Sequence, residues 1–153
     1  MEPKMERLPA RVTYLVKQVE RGVRTALDET VRGFGLTTPQ YAALSVLARR
    51  GGLSSAQLAR RAFVTPQAMN QIVAQLEAEA LITRAPDPGN GRILRAELTE
   101  EGKRRLEACE AAVDGIEDHM LNALDPESVD RLREGLLACA VALRDLPELA
   151  GSE

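Results

Sequence analysis

Residues 65–98 read TPQAMNQIVAQLEAEALITRAPDPGNGRILRAEL. The hydrophobic period changes inside this stretch. Met69, Ile72, Val73 and Leu76 recur at i, i+3, i+4 and i+7, one face of a helix. Thr65 before Pro66 marks the start: a capping side chain, then a proline at the first helical position, where its missing N–H costs nothing. Further on, Leu94, Ala96 and Leu98 alternate with Ile93, Arg95 and Glu97, the period of a strand. Between the two lies Asp87-Pro88-Gly89-Asn90-Gly91, dense turn chemistry in which Asn-Gly is a hairpin signal. The stretch therefore predicts a helix followed by a β-hairpin with its tip near 87–91, its first strand supplied by Leu81-Ile82-Thr83-Arg84.

The helix has an unusual polar side. Gln67, Asn70, Gln71 and Gln75 lie off the apolar face, and no positive charge follows until Arg84. Just upstream, Ser54 with Gln57 three residues on reads as a capping box opening a helix over 54–62, joined to the next by the tight turn Phe63-Val64. Two short helices, a turn and a hairpin make a winged helix-turn-helix, whose second helix lies in the DNA major groove. Amides suit that place, because they donate and accept together and so match adenine N6 and N7. Phosphates need charge, available nearby at Arg49, Arg50, Arg60, Arg61, Arg84, Arg92 and Arg95. Ser54, Ser55, Gln57 and Thr65 stand at helix N-termini, where N–H groups and hydroxyls meet phosphates as well as cap. The plainer reading of the amides is a solvated face on an ordinary helix.

Working outward, Leu8, Val12, Leu15, Val19, Val23, Leu27 and Val31 step by three and four, predicting a helix over 8–34 that ends at Gly33 and Gly35. Thr38-Pro39 opens another, stopped by Gly51-Gly52. After the hairpin, Thr99 caps a long helix to about Leu124, with Glu100 and Glu101 where the dipole favours acids. Its stripe is Leu106, Cys109, Val113, Ile116 and Met120. Asp125-Pro126 opens the last helix, striped by Val129, Leu132, Leu136, Ala140 and Leu143. A middle of roughly 60 residues cannot cover the stripes at both ends, and a symmetric dimer is the commonest remedy.

Composition agrees. Aromatics are 3% of a chain that is 44% hydrophobic, so the core is aliphatic and rich in helix-forming Ala and Leu. Net charge is −3, distributed as +2 over residues 1–35, +4 over 36–95 and −9 over 96–153. The basic middle permits nucleic-acid binding, and the acidic last third argues against phosphate contacts there. The charged N-terminus lacks the apolar core of a signal peptide. No apolar run reaches the ~18–20 residues of a membrane span, so no membrane partner is expected. Cys109 and Cys139 form no CxxC pair, and a reducing cytoplasm is the default.

The run from Leu76 through LITRAPDPGNGRILRAELTEEG resembles the MarR (multiple antibiotic resistance regulator) family, with Leu76, Ala80, Arg84, Arg92, Leu98, Thr99 and Gly102 filling the family's leucine, glycine, arginine, wing-arginine and L-T-x-x-G places. The likeness covers about residues 10–145 and is most specific over 36–106. It implies a mainly α fold: a winged helix-turn-helix DNA-binding domain with a two-stranded β-wing over 36–102, flanked by a helical dimerisation region over 1–35 and 103–150. It implies a homodimeric regulator, a repressor more often than not, bound to a pseudo-palindromic operator of double-stranded DNA and released by a small phenolic or lipophilic ligand. Some members are thiol sensors instead, with a reactive cysteine near the chain start, where this sequence has none. The DNA-contacting set would be Ser54, Ser55, Gln57, Thr65, Gln67, Ala68, Asn70, Gln71, Gln75, Arg84, Asn90 and Arg92. Arg92 would enter the minor groove.

Two departures stand out. Asn90 replaces the aspartate that often braces the wing arginine, which leaves Arg92 less well oriented or braced by the Asn90 amide oxygen. Gln71 and Gln75 stand where basic residues are frequent, which shifts the weight to base edges and to A·T-rich half-sites. The effector pocket of such proteins commonly lies between the DNA-binding lobe and the dimer helices; Tyr14, Phe34 and Tyr41 are the aromatic candidates to line it, and core packing is their plainer role.

Other chemistry is thin. His119 is the only histidine and has no visible ligand set beside it, so no metal or cofactor is expected. The acidic face Glu107, Glu110, Asp114, Glu117 and Asp118 reads as solvated. No nucleophile motif or phosphate loop occurs, which argues against an enzyme. The rival readings are a winged-helix protein-interaction module without DNA binding and a thiol-based redox sensor.

Overall fold

The computed structural model describes residues 10–144. Helix α1 spans Val12–Arg32, α2 Thr38–Arg49, strand β1 Leu53–Ser54, α3 Ser55–Ala62 and α4 Pro66–Ala78. Strands β2 (Ile82–Asp87) and β3 (Asn90–Leu98) follow, then α5 (Glu100–Leu121) and α6 (Pro126–Arg144). The fold is mainly α with a small antiparallel sheet, a winged helix-turn-helix. Leu8, and the parts of the expected dimerisation region at 1–9 and 145–150, lie outside the described residues. The described residues divide at Ile116/Glu117 into two compact units.

Helix starts follow local chemistry. Ser54 accepts from the Gln57 N–H at 3.2 Å, and the Gln57 carbonyl accepts from the Ser54 N–H at 3.0 Å, a complete capping box. The Thr65 hydroxyl accepts from the Ala68 N–H, and Asp125 caps α6 through Ser128. One start differs from expectation. Thr37, not Thr38, caps α2, again in a capping box with Gln40. Proline therefore sits at the second helical position, and the Thr38 hydroxyl is spent on Asp28 of α1.

The wing has three strands, in the order β1-β3-β2, rather than the two expected. Leu53 and Ser54 pair with Ala96 and Arg95. Two residues carry no periodicity, so β1 left no mark in the sequence. The hairpin tip also turns differently. Asp87 pairs with Asn90, so Pro88 and Gly89 are the central residues and Asn90-Gly91 begins β3. Proline fixes φ near −65°, which excludes the turn type that Asn-Gly serves. The Asp87 carboxylate closes the turn instead, accepting from the N–H groups of Gly89 at 2.7 Å and Asn90 at 3.0 Å. Helix α5 stops at Leu121, three residues short of expectation.

The core lies in the first unit. Val31, Leu36, Leu44, Leu58, Met69, Leu76, Leu81, Ile82, Leu106 and Cys109 are among its buried members. Burial along α1 rises toward its C-terminal end: Val12 and Val19 are exposed, Leu27 packs against the core and Val31 is buried. Helix α6 buries no residue, and Leu132, Leu136, Leu137, Val141 and Leu143 are exposed. One backbone approach is unusually close. A Cβ on Gly102 would stand 2.1 Å from the Leu81 carbonyl oxygen, so α5 starts hard against the base of β2. Thr99 clamps the same joint: its N–H donates to Leu81 O, and its hydroxyl donates to Ala80 O and accepts from Gly102 N–H.

Candidate nucleic-acid interface

Helix α4 is built from its buried side outward. Met69, Ile72, Val73 and Leu76 face the core. At 3.6 residues per turn, Gln67, Gln71 and Ala74 stand opposite them, and all three are exposed. Asn70 and Glu77 border this ridge on one side, and Ala68 and Gln75 on the other. No charge occurs on α4 before Glu77.

The four amides, alike in sequence, have different surroundings. The Ser55 hydroxyl donates to Asn70 Oδ1 at 2.7 Å. Gln75 Oε1 accepts from Nε2 of Gln40, a residue buried to 5% exposure whose own carbonyl accepts from the Thr37 N–H. Gln67 and Gln71 make no side-chain hydrogen bond among the described residues.

Beside the ridge, a groove of about 350 Å³ runs between α3, α4 and the wing. It is lined by Ser54, Ser55, Arg84 and Arg92 together with the buried Val73 and Ala96 and the exposed Ile93 and Leu94. The fold thus gathers four of the expected DNA-contacting residues at one cleft. Ser54, Gln57 and Thr65 use their side chains for capping.

The arginines separate into held and free. Arg84 makes a two-point pair with Glu77, at 3.1 and 2.9 Å. Its hydrogen bond holds the Glu77 carboxyl below the usual carboxylate range, and Glu77 in turn pushes the Arg84 guanidinium up. Arg95 pairs with Asp87 and donates to Gly52 O. The Asp87 carboxyl is depressed first by the Gly89 N–H and then by Arg95. Arg49, Arg50, Arg60, Arg61 and Arg92 are exposed and have no ion-pair partner among the described residues. Asn90 does use its amide oxygen as a brace, but on the backbone N–H of Arg92 at 3.2 Å, which leaves the guanidinium free.

Sequence reading missed three contributors. Ala74 continues the outward ridge, toward Ala78, and was legible as the complement of the Met69 stripe. Asp87 organises the tip, and its signal was the Asp-Pro-Gly run. Gln40 gave only the capping signal of its place three residues after Thr37, and nothing that marked it as a brace. A further anomaly marks the turn before α4: Phe63 adopts a left-handed backbone, φ 56°, and the residue is 95% exposed.

The aromatic effector candidates do not converge within one chain. Phe34 lines a shallow depression of about 510 Å³ with Gly33, Gly35, Glu101, Arg104 and Arg105. Tyr41 packs against the core, and burial pushes its phenol up. Tyr14 is exposed and lies roughly 27 Å up α1 from the helix end beside Phe34, at 1.5 Å per residue. Cys109 is buried, and burial, with Glu110 nearby, raises its thiol above the ordinary value. That is the opposite of a reactive thiolate. His119 is exposed on α5. Among the described residues no helix is long and apolar enough to cross a membrane.

Comparison with known proteins bears on this surface. A profile of the MarR family matches residues 34–93. The HTH-type transcriptional repressor Rv2887 of Mycobacterium tuberculosis is 36% identical over 115 residues, covering 75% of this chain and 83% of the relative. The solved structure of Rv2887 in complex with DNA superposes with a TM-score of 0.71 at 32% identity, covering 84% of this chain and 98% of that one. The Rv2887 complex with p-aminosalicylic acid gives 0.70 at 31% identity over 86% and 99%.

Proposed function

The chain belongs to the MarR family of transcription regulators, and from that premise we propose that it is a homodimeric repressor of the cytoplasm that binds a pseudo-palindromic operator and lets go when a small aromatic acid binds. The observation that carries the reading is the surface just described. An exposed, uncharged amide ridge lies beside a groove lined by hydroxyls and arginines, and free arginines surround it. The ridge reads bases; Ser54, Thr65 and the arginines hold phosphates, while the Ser55 hydroxyl is spent on Asn70. Arg92, free at the wing, takes the minor groove.

Dimerisation is supported by the apolar faces left open on α1 and α6. Two copies present their recognition helices to successive major grooves, with half-sites about 10 base pairs apart. Salicylate-type binding by Rv2887 supports an aromatic anion as effector here. Phe34 with Arg104 and Arg105 offers a ring contact and positive charge for it. The ligand changes DNA affinity only through its preference between two states of the dimer.

Selection from a random duplex library tests the reading. An inverted repeat is expected to emerge. Its affinity should fall by about 10³–10⁵ between ~50 and ~200 mM salt, as release of six to ten counterions requires. Duplex retention that does not depend on salt would sink it.

A further inference from the structure

We infer that the four amides of α4 divide into two base readers and two braces: Gln67 and Gln71 each take an adenine edge in the major groove, while Asn70 and Gln75 are positioning residues. The inference rests on the DNA-binding reading above and deepens it to a base preference.

The division follows from the hydrogen bonds. Bidentate recognition of adenine needs an amide that can offer its oxygen to N6 and its N–H to N7 together. Asn70 has its amide anchored to α3 by the Ser55 hydroxyl at 2.7 Å, and it would have to give up that bond to turn its oxygen and N–H together onto a base edge. The oxygen of Gln75 is turned to Nε2 of Gln40 at 3.4 Å, a long contact, and Gln40 is buried and satisfied at its other end by the Thr37 N–H at 2.9 Å. These two bonds run from α4 to the starts of α3 and α2, so they fix how α4 is presented. Gln67 and Gln71 are exposed and have both amide atoms unspent among the described residues.

Their spacing fits the task. Residues i and i+4 lie about 6 Å apart along a helix. One base-pair step rises about 3.4 Å, so the two reach base pairs one or two steps apart. Ala74, next on the ridge, is small enough to let the helix sit deep and is a fit contact for a thymine methyl. No Lys or Arg stands on the ridge to take guanine O6 and N7 in the usual bidentate way. The half-site core is therefore A·T, with two adenines one or two steps apart.

The experiment uses the full-length protein and its selected duplex. Each adenine in the half-site is replaced in turn by 7-deazaadenine, which keeps pairing and removes N7. Wild type is expected to weaken at two positions only. Gln67→Ala and Gln71→Ala should each bind the unmodified site about ten- to a hundredfold less tightly, and each should become indifferent to the modification at one of the two positions. Both should hold an unrelated duplex at low salt as wild type does. Asn70→Ala and Gln75→Ala should keep the sensitivity of wild type at both positions. Selection of a G·C core, or sensitivity that disappears with Asn70→Ala and survives Gln67→Ala, overturns the assignment. In that case salt-dependent operator binding by wild type leaves the DNA-binding reading standing. If wild type holds no duplex, that reading itself falls.

Discussion

Helices α4 and α6 look alike in the sequence and differ in the fold. Both begin at a capping residue followed by proline, and both carry an apolar stripe at helical spacing. Helix α4 buries four residues within its own chain, while α6, though longer, buries none. An amphipathic stripe states that a face must be covered and leaves open what covers it. For α4 the cover is the rest of the winged-helix core. For α6 it is the second copy proposed above, and that difference assigns the two helices to different tasks.

The largest expected contrast is in stability. Leu76 is fully buried in the core, and Leu76→Ala is expected to lose about 2–5 kcal/mol by chemical denaturation. Leu136→Ala, at a half-exposed position, should cost little when the protein is dilute. Equal losses from the two at low concentration would break the comparison, because α6 would then be supported within the chain.

Next comes association. Leu136→Glu is expected to convert a dimer into a monomer in sedimentation velocity while leaving the circular dichroism of the folded monomer largely intact. A variant that still sediments as a dimer would put the interface elsewhere.

A smaller effect probes the end of α4. Ala80, at the place where the family has glycine, has φ 57°, the left-handed region. A Cβ is strained there by roughly 1–2 kcal/mol. Ala80→Gly should recover about 1 kcal/mol of that, the rest being offset by the freer unfolded chain. A rise in Tm measures it, and an unchanged or lower Tm would mean that the strain is relaxed by neighbours.

The smallest effect is at the wing tip. The Asp87 carboxyl is depressed in the folded state. Its contribution is therefore complete above its unfolded pKa of about 3.9 and is lost as pH falls through the lower folded value. The amide resonances of Gly89 and Asn90 should stay fixed from neutral pH to about 4 and move below it. In Asp87→Ala they should already be displaced at neutral pH. A midpoint above 4 would contradict the depression.

How much was legible follows the same division. Capping boxes, prolines and the three-four stripes are local, and they gave α3, α4, α5 and α6 close to their observed starts. Thr37 took the α2 cap from Thr38 because Gln40, three residues on from Thr37, completes a reciprocal pair that no partner of Thr38 provides. Strand β1 escaped because its two residues are defined only by Ala96 and Arg95, far along the chain. In the candidate site, residue types were legible and their engagements were not. Nothing in the sequence ties Gln40 to Gln75, or Glu77 to Arg84 rather than to a neighbouring arginine.

The clamp at Thr99 and Gly102 has a mechanical consequence. With no room for a Cβ between Gly102 and Leu81, the first turn of α5 and the base of β2 cannot slide past each other. They form one rigid crank, with α5 as shaft and the hairpin as arm. The six residues of β2 make that arm roughly 20 Å long at ~3.3 Å per residue. A rotation of the shaft by about 10° would then swing Arg92 through some ~3 Å, about the length of one hydrogen bond. A small twist at this joint is thus magnified at the wing tip into a displacement large enough to decide whether Arg92 reaches the minor groove proposed for it above.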